Sequence, residues 1–330
     1  MQLLYYEDYM ANASDFIVLD CQNDMKEYDL GKEKFKKTHL PRAYHVPIKP
    51  ILTDDVLYNA GRHPLPKINF LYKLFTTLIE RHETQKFLVY SDGIDIYSAR
   101  MIWLLQLMGF SNVYLLNETF SSLRQKYNID LTVNLKENYR NEQLTYLHEI
   151  MEDEVEQHKI TSKGKSSLYE LYQDVLAEQD NVINYDFVYQ LNRNLISTHM
   201  DVFDAIKQES LILDVRHNAR FIGENEPIDT TAGHIPQTFN LEYEHYIDEG
   251  RITIQKLNQL KLEYSHLYNV NRSLQSDIRE DRDVILSCGS GLSACMMYVL
   301  LQLINVPSTV YAGSYSEWIA LDLPILNNIE

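Results

Sequence analysis

The amino-acid sequence predicts an α/β protein made of two copies of one domain, each a mainly parallel β-sheet with helices on both faces. Three observations support this prediction. Short apolar runs alternate with amphipathic stretches, which is typical of βα units. Three segments recur in one order at a nearly constant spacing. The 330 residues also provide enough chain for two hydrophobic cores.

Three pairs of similar segments carry the internal repeat. They are FIVLDCQND at 16–24 with LILDVRHNA at 211–219, THLPRAYHV at 38–46 with GHIPQTFNL at 233–241, and FLVYSDGIDIYSARMIWLLQLMGFSNVYLL at 87–116 with VILSCGSGLSACMMYVLLQLINVPSTVYA at 284–312. Matching residues such as Asp20 and Asp214 lie 194 to 197 positions apart. Three similarities in one order are hard to obtain by chance, so the chain is a tandem repeat.

The second copy shows the predicted elements most clearly. Its apolar runs Leu211–Leu213, Val284–Ser287 and Thr309–Ala312 are predicted to be buried strands. Ser293–Ile304 is predicted to be a helix with Ser293 as its N-cap, because serine is a preferred N-cap residue. We expect ligands at the carboxyl ends of these strands, as in other open parallel sheets.

The domain boundaries follow from the repeat. We expect a first domain at 1–120, a helical connector at 121–195 and a second domain at 196–330. Most of the connector is rich in Glu, Gln, Lys, Tyr and Leu at helical spacing, which predicts connecting helices. The stretch HKITSKGKSSL at 158–168 is its most loop-like piece.

Composition and charge restrict the possible partners and location. A formal net charge of −17 argues against nucleic acid or an anionic membrane as a partner. No apolar run is long enough to span a membrane, and the first 20 residues lack the basic and apolar regions of a signal peptide. We therefore expect a cytoplasmic protein.

The three cysteines are Cys21, Cys288 and Cys295, and they predict neither a disulfide framework nor a metal site. There is no Cys-x-x-Cys pair or Cys/His cluster, so we expect no metal and no cofactor. Cys21 and Cys295 fall within apolar stretches and are predicted to pack in the cores.

Cys288 stands where a predicted strand meets a glycine-containing turn and a predicted helix. Gly289 and Gly291 allow the backbone to curl so that N–H groups point inward, and the helix N-terminus adds a partial positive charge. Both effects favour a thiolate, so Cys288 is the candidate nucleophile. A small buried residue at a strand end is the alternative interpretation.

Taken together, these residues resemble the tandem-domain sulfurtransferases of the rhodanese superfamily over nearly the whole chain. The segments that carry the resemblance are CGSGLSAC at 288–295, which is similar to the CGSG loop of the 3-mercaptopyruvate sulfurtransferase branch, LILDVR at 211–216 with ARFIGENEP at 219–227 and AGHIPQTFNL at 232–241, AGSYSEW at 312–318, and GRHPLP at 61–66. Jointly these segments are specific, although none is specific alone.

The resemblance implies a reaction and a set of site residues. Cys288 would take a sulfane sulfur as a persulfide from a small anionic donor, 3-mercaptopyruvate or thiosulfate, and pass it to a thiol or cyanide-like acceptor. Ser290 would relay a proton. Arg220 would bind the carboxylate or sulfonate of the donor, and His63 would face the pocket from the other side of the domain boundary. The residues expected to border the donor are Gly289, Gly291, Leu292 and Ser293.

The resemblance also implies a structural role for two residues of the second copy and an inactive first copy. Asp214 and Arg216 match a family pair that would support the active-site loop. In the first copy, the equivalent turn has Asp92 or Gly93 near the cysteine position and no thiol. A carboxylate cannot accept a sulfane sulfur, so the first copy is expected to be inactive.

The sequence also departs from the family pattern. Ile228 stands where the mercaptopyruvate branch usually has a second arginine, which would leave Arg220 alone to bind the donor anion. The aspartate that the branch carries before the pocket histidine has no exact counterpart, since Ile51 or Leu52 stands at that spacing while Asp54 and Asp55 lie slightly closer to the histidine. The loop at 288–293 also lacks the basic residues of the thiosulfate branch. The identity of the donor therefore stays open.

The sequence also bears on two alternative functions. A rhodanese-related phosphatase needs an arginine six positions after its cysteine, where this chain has Ala294, which argues against that function. A non-catalytic regulatory or sulfur-carrier binding module on the same scaffold stays open, because Ile228 replaces the second arginine.

Overall fold

The computed structural model describes residues 1–56, 61–128, 131, 191–274 and 284–327. These residues form two compact units. The first unit combines Met1–Asp55, the described part of Leu65–Lys165, and Glu249–Arg251; the second combines the described parts of Val56–Pro64, Ser166–Asp248 and Ile252–Glu330. The predicted connecting helices at 121–186 lie almost wholly outside the described residues, so that prediction and the domain boundaries stay predictions.

The first unit contains a parallel five-stranded sheet in the order β1-β5-β4-β2-β3. Its elements are β1 (Gln2–Leu4), α1 (Tyr6–Ala11), β2 (Phe16–Asp20), α2 (Tyr28–Lys37), β3 (Ala43–His45), α3 (Ile68–His82), β4 (Lys86–Tyr90), α4 (Ile96–Leu107), β5 (Val113–Leu116) and α5 (Phe120–Tyr127). Every residue of β2 is buried, as expected for a central parallel strand covered by helices on both faces.

The second unit repeats this arrangement with the strand order β6-β10-β9-β7-β8. Its elements are β6 (Ile196–Ser197), α6 (His199–Lys207), β7 (Ile212–Asp214), α7 (Asn218–Phe221), β8 (Thr238–Asn240), α8 (Ile254–Leu274), β9 (Val284–Ser287), α9 (Leu292–Leu303), β10 (Ser308–Tyr311) and α10 (Ser314–Ala320). All its strand pairs are parallel. The predicted α/β class and the tandem repeat are confirmed, and the predicted strands and helix differ from the observed ones by at most one residue at either end.

The register of the two sheets identifies the residue of the first copy that corresponds to Cys288. Asp20 lies opposite Tyr90, and its counterpart Asp214 lies opposite Ser287. Tyr90 therefore corresponds to Ser287, and the next residue, Ser91, corresponds to Cys288. Asp92, which was expected near the cysteine position, is the residue after Ser91, and the turn before α4 is one residue longer than the turn before α9.

Helices α4 and α9 are apolar around most of their circumference and are buried along most of their length. They follow the central strands β4 and β9, so each begins at the carboxyl edge of its sheet. Among the described residues, no helix is both long enough and apolar enough to cross a membrane.

Candidate active site

Cys288 follows β9 directly and has 2% of its surface exposed. The backbone N–H of Gly291 donates a hydrogen bond to its sulfur over 3.1 Å. The backbone N–H of Cys288 itself donates to Ser314 Oγ over 3.1 Å, and that hydroxyl oxygen lies 3.8 Å from the sulfur. The sulfur thus lies at the start of a buried helix, with donor groups that favour an anion.

Gly291 is a position where the chain needs glycine. Its φ is 87°, in the left-handed region, and a Cβ there would lie 2.2 Å from the carbonyl oxygen of Ala312. Gly291 is also the N-cap of α9, so the expectation that Ser293 caps this helix was wrong. The left-handed turn directs the Gly291 N–H toward the sulfur and starts the helix at Leu292, one residue earlier than predicted.

The turn at Gly313–Ser316 holds the cysteine loop from the side of α10. The N–H of Tyr315 donates to the carbonyl of Cys288 over 3.0 Å, and the N–H of Ser316 donates to the carbonyl of Gly289 over 2.9 Å. The carbonyl groups of Cys288 and Gly289 therefore both accept hydrogen bonds. These backbone hydrogen bonds hold the loop in position.

Asp214 and Arg216 lie behind this turn. The Arg216 guanidinium hydrogen-bonds both carboxylate oxygens of Asp214, with both side chains 1% exposed. Its central carbon lies 4.2 Å from the ring centroid of Tyr315, whose backbone N–H binds the Cys288 carbonyl. The pair thus contacts the residue that holds the loop, which agrees with the supporting role expected for it.

The two copies differ at the N-terminus of the helix that follows the central strand. In the first copy, the carboxylate of Asp95 caps α4 and accepts hydrogen bonds from the N–H groups of Tyr97 and Ser98 over 3.1 and 2.8 Å. In the second copy, no side chain caps α9. The first turn of α4 thus has a carboxylate partner for its N–H groups, whereas the first turn of α9 has no side-chain cap.

Ser290 and His63 meet in the second unit. His63 Nδ1 lies 2.6 Å from Ser290 Oγ, and Ser290 is buried. The segment Val56–Pro64 belongs to the second unit, although it precedes β4 of the first unit in the chain. The structure therefore brings together three predicted site residues, because Ser290 is only two positions from Cys288.

Arg220 lies beside the same loop but is already bound to carboxylates. Its Nε lies 3.1 and 3.0 Å from the two carboxylate oxygens of Glu226, and its Nη2 lies 2.9 Å from Asp229 Oδ2. An ideal Cβ on Gly289 would lie 3.3 Å from Arg220 Nη2, so the guanidinium is next to the residue that follows Cys288. Ile228 is 57% exposed and is one of the exposed large apolar side chains.

Sequence analysis did not single out two residues that the structure places in the site. Arg62, beside His63, brings its Nη2 to 2.9 Å from the same ideal Cβ position on Gly289. The other is Tyr243, which begins a short 3₁₀ turn after β8 and hydrogen-bonds Ser293. Burial, then Glu244 and Cys288, raise the pKa of Tyr243, so its phenol stays protonated at neutral pH. The sequence signal that could have indicated Tyr243 is its position just after a parallel strand, at the edge of the sheet where ligands bind.

The other two cysteines lie in the cores, as predicted. Burial raises the pKa of Cys21 well above its ordinary value, and the carboxylates of Asp95 and Asp20 add to this effect. Cys295, on the first turns of α9, donates its S–H to the carbonyl oxygen of Gly291 over 3.1 Å. Neither arrangement favours a nucleophilic thiolate.

Comparisons with known proteins identify the repeated domain. The family model for the rhodanese-like domain matches residues 5–126 and 200–321. A protein of Pseudomonas aeruginosa named "Probable 3-mercaptopyruvate sulfurtransferase" is 28% identical over 325 residues, covering 96% of this chain and 95% of the relative.

Two solved structures have the same fold. The crystal structure of the Tum1 protein from Saccharomyces cerevisiae has a TM-score of 0.65 at 20% identity, covering all of this chain and 99% of that one. The 3-mercaptopyruvate sulfurtransferase from Leishmania major has a TM-score of 0.64 at 19% identity, covering 97% of this chain and 74% of that one.

Proposed function

This chain belongs to the rhodanese family and is a sulfurtransferase with two rhodanese-like domains in tandem, and we propose that it carries a sulfane sulfur as a persulfide on Cys288. The donor is a small anion, 3-mercaptopyruvate or thiosulfate, and the acceptor is a thiol or a cyanide-like nucleophile. The observation that best supports this proposal is the hydrogen bond from the Gly291 N–H to the Cys288 sulfur at the start of a buried helix. This arrangement stabilises negative charge on the sulfur, in both the thiolate and the persulfide.

The proposed transfer has two steps. With 3-mercaptopyruvate, the Cys288 thiolate attacks the donor sulfur, an S–S bond forms, and the C–S bond breaks. The bonding pair goes to the methylene carbon, which takes up the proton of the donor thiol, so the products are Cys–S–S⁻ and pyruvate. With thiosulfate, the S–S bond of the donor breaks and sulfite leaves. The acceptor thiolate or cyanide then attacks the outer sulfur and regenerates the Cys288 thiolate.

Ser290 and His63 supply the proton path in this proposal. In the mercaptopyruvate reaction a proton must move from the donor thiol to the methylene carbon. The Ser290 hydroxyl, held by His63 Nδ1 at 2.6 Å, is a donor and acceptor two residues from the nucleophile. Thiosulfate needs no such proton transfer, because sulfite is a stable leaving group.

The first copy has no sulfur-carrying role in this proposal. The register places Ser91 at the position of the nucleophile, and a hydroxyl does not hold a sulfane sulfur. The predicted boundaries at 120 and 195 and the predicted cytoplasmic location are retained as parts of the proposal.

Turnover measurements test the proposed function. Wild type is assayed with 3-mercaptopyruvate and with thiosulfate, with dithiothreitol or cyanide as the acceptor, beside Cys288→Ser and the matched control Cys295→Ser. We expect turnover by wild type and the control and none by Cys288→Ser, which nearly preserves side-chain volume. A wild type that turns over neither donor would support the alternative, a regulatory or sulfur-carrier binding module.

A further inference from the structure

Tyr243 lies across the carboxyl edge of the second sheet from Cys288. It follows β8, whereas Cys288 follows β9, and β7 lies between these two strands. The N–H of Tyr243 donates to the carbonyl of Val215 over 3.5 Å, and the N–H of Val215 donates to the carbonyl of Ser287 over 2.9 Å. Val215 therefore joins the backbone of Tyr243 to the residue that precedes Cys288.

The side chain of Tyr243 extends from this position toward the cysteine loop. Its phenol hydrogen-bonds Ser293, which lies on the first turn of α9, the helix that follows the loop. Neighbouring strands of a sheet lie about 4.8 Å apart, so β8 and β9 are separated by roughly 10 Å. The ring of Tyr243 thus crosses the carboxyl end of β7 to reach α9, which brings the phenol beside the loop that carries Cys288.

The phenol of Tyr243 is a neutral hydrogen-bond donor at this place. Burial raises its pKa, and Glu244 and Cys288 raise it further, whereas the hydrogen bond with Ser293 acts in the opposite direction. A phenol can accept a hydrogen bond from a serine hydroxyl and still donate one of its own. Its partner Glu244 is exposed to solvent, so water can take the place of the phenol there. The proton of the phenol is therefore available to a ligand beside Cys288.

The second step of the proposed transfer needs a donor beyond the one that holds Cys288. The Gly291 N–H is directed at the Cys288 sulfur, which is the sulfur that leaves when an acceptor attacks. The outer sulfur of Cys–S–S⁻ carries negative charge, and a thiolate or cyanide that approaches it is also an anion. A hydrogen bond to the outer sulfur reduces the repulsion between these two anions.

We infer that Tyr243 is a catalytic residue of the discharge step: its phenol donates a hydrogen bond to the outer sulfur of the Cys288 persulfide while the acceptor attacks. This inference rests on the proposed function and deepens it. In this step a bond forms between the acceptor and the outer sulfur, the S–S bond to Cys288 breaks, and the bonding pair returns to the Cys288 sulfur. The phenol keeps its proton throughout, so Tyr243 supplies a hydrogen bond and no acid–base chemistry.

Discharge of preloaded chains tests this inference. Wild type, Tyr243→Phe and Tyr246→Phe are loaded with saturating 3-mercaptopyruvate or thiosulfate, desalted, and mixed rapidly with dithiothreitol or cyanide. Mass spectrometry of quenched samples measures the sulfur that stays on the chain. Tyr246→Phe is the matched control, because Tyr246 lies on the same 3₁₀ turn but donates its hydroxyl to Glu263 on α8 over 2.5 Å. The rate at which iodoacetamide alkylates Cys288 is measured on the same three proteins before loading.

We expect Tyr243→Phe to slow discharge to both acceptors by about ten- to a hundredfold, the range for losing a hydrogen bond to a charged group. Phenylalanine keeps the ring, so the packing of the turn is preserved. Alkylation of unloaded Cys288 should stay near the wild-type rate, because the unloaded chain has no outer sulfur. Tyr246→Phe should discharge as wild type does.

Three results would overturn the inference while leaving the proposed function intact. One is a Tyr243→Phe chain that discharges at the wild-type rate. Another is a loss that Tyr246→Phe shares, or that equally slower alkylation accompanies, since either would show that Tyr243 only supports the loop. The third is slower discharge to one acceptor alone, which would place the phenol on that acceptor and not on the sulfur. A wild type that gains no sulfur from either donor would instead contradict the proposed function, and the inference would fall with it.

Discussion

Ser290 and His63, 227 positions apart in the sequence, are joined by a hydrogen bond of 2.6 Å between the serine hydroxyl and Nδ1 of the histidine ring. The bond ties the segment 61–64, which belongs to the second unit, to the loop that carries Cys288. It gives Ser290 a histidine partner, the side chain that most often serves as a general acid or base in enzymes. We therefore expect the sulfur donors 3-mercaptopyruvate and thiosulfate to differ in how strongly their reaction with Cys288 depends on Ser290.

We predict that Ser290→Ala slows loading by 3-mercaptopyruvate by about a hundredfold, within the range typical of general acid–base catalysis, and slows loading by thiosulfate much less. Only the first donor needs a proton moved to carbon. Rapid-mixing measurements of Cys288 loading with both donors check this, with the exposed Ser273→Ala as the control. Equal slowing with both donors would show that Ser290 acts on the loop structure and not on a proton.

The three thiols should differ in their reaction with iodoacetamide. We predict that Cys288 reacts much faster than Cys21 and Cys295 between pH 6 and about 9. The Gly291 N–H stabilises negative charge on Cys288, whereas burial and nearby carboxylates raise the pKa of Cys21, so Cys21 stays protonated over this range. Peptide mapping of samples quenched at intervals measures the three rates. Equal rates for all three thiols would contradict the assignment of Cys288 as the nucleophile.

The two glycines of the loop should respond differently to alanine. We predict that Gly291→Ala lowers the free energy of unfolding by more than about 1 kcal/mol, because its φ is 87° and a Cβ would meet the Ala312 carbonyl. Gly289→Ala should be much less destabilising, since its Cβ would meet the ends of the Arg62 and Arg220 side chains rather than backbone. Denaturant unfolding of both variants compares them. A Gly289→Ala chain as destabilised as Gly291→Ala would argue against the described loop geometry.

The first unit should show a pH dependence of stability from Asp20. Burial raises the pKa of Asp20 to about 7, although Tyr90 and Gln22 donate hydrogen bonds to it. Since the folded chain holds this proton more tightly than the unfolded chain, its contribution makes the free energy of unfolding fall as pH rises from about 4 to about 7. Above that range the contribution is constant.

Asp20→Asn, which mimics the protonated carboxyl, should remove this part of the slope. Denaturant unfolding of the variant and wild type between pH 5 and pH 8 measures the difference between the two free energies. We expect the variant to gain stability relative to wild type as pH rises. A constant difference over the whole range would contradict the raised pKa.

Much of this fold could be predicted from the sequence because its signals are local or repeated. The apolar run before Cys288 marks β9, and the apolar stretch after it marks α9, to within one residue. The repeat then indicates that the first copy has the same kind of sheet. The position of Cys288 at a strand end beside a helix start followed from the same pattern.

The features that sequence reasoning missed depend on distant backbone contacts. Arg62 approaches the loop only because Gly61 packs on the Gly313 carbonyl, and no local pattern encodes that contact. The counterpart of Cys288 in the first copy was located only approximately, because the two turns differ in length by one residue and only the strand register identifies it as Ser91. Serine propensity suggested Ser293 as the N-cap, whereas the left-handed backbone of Gly291 determines where the helix starts.

Mass spectrometry of the chain after exposure to each donor tests most directly whether Cys288 carries the transferred sulfur. We predict the added mass of one sulfur atom on the peptide that contains Cys288, its removal by dithiothreitol or cyanide, and no addition in Cys288→Ser. An unmodified Cys288 after exposure to both donors, or sulfur found on Cys21 or Cys295 instead, would contradict it.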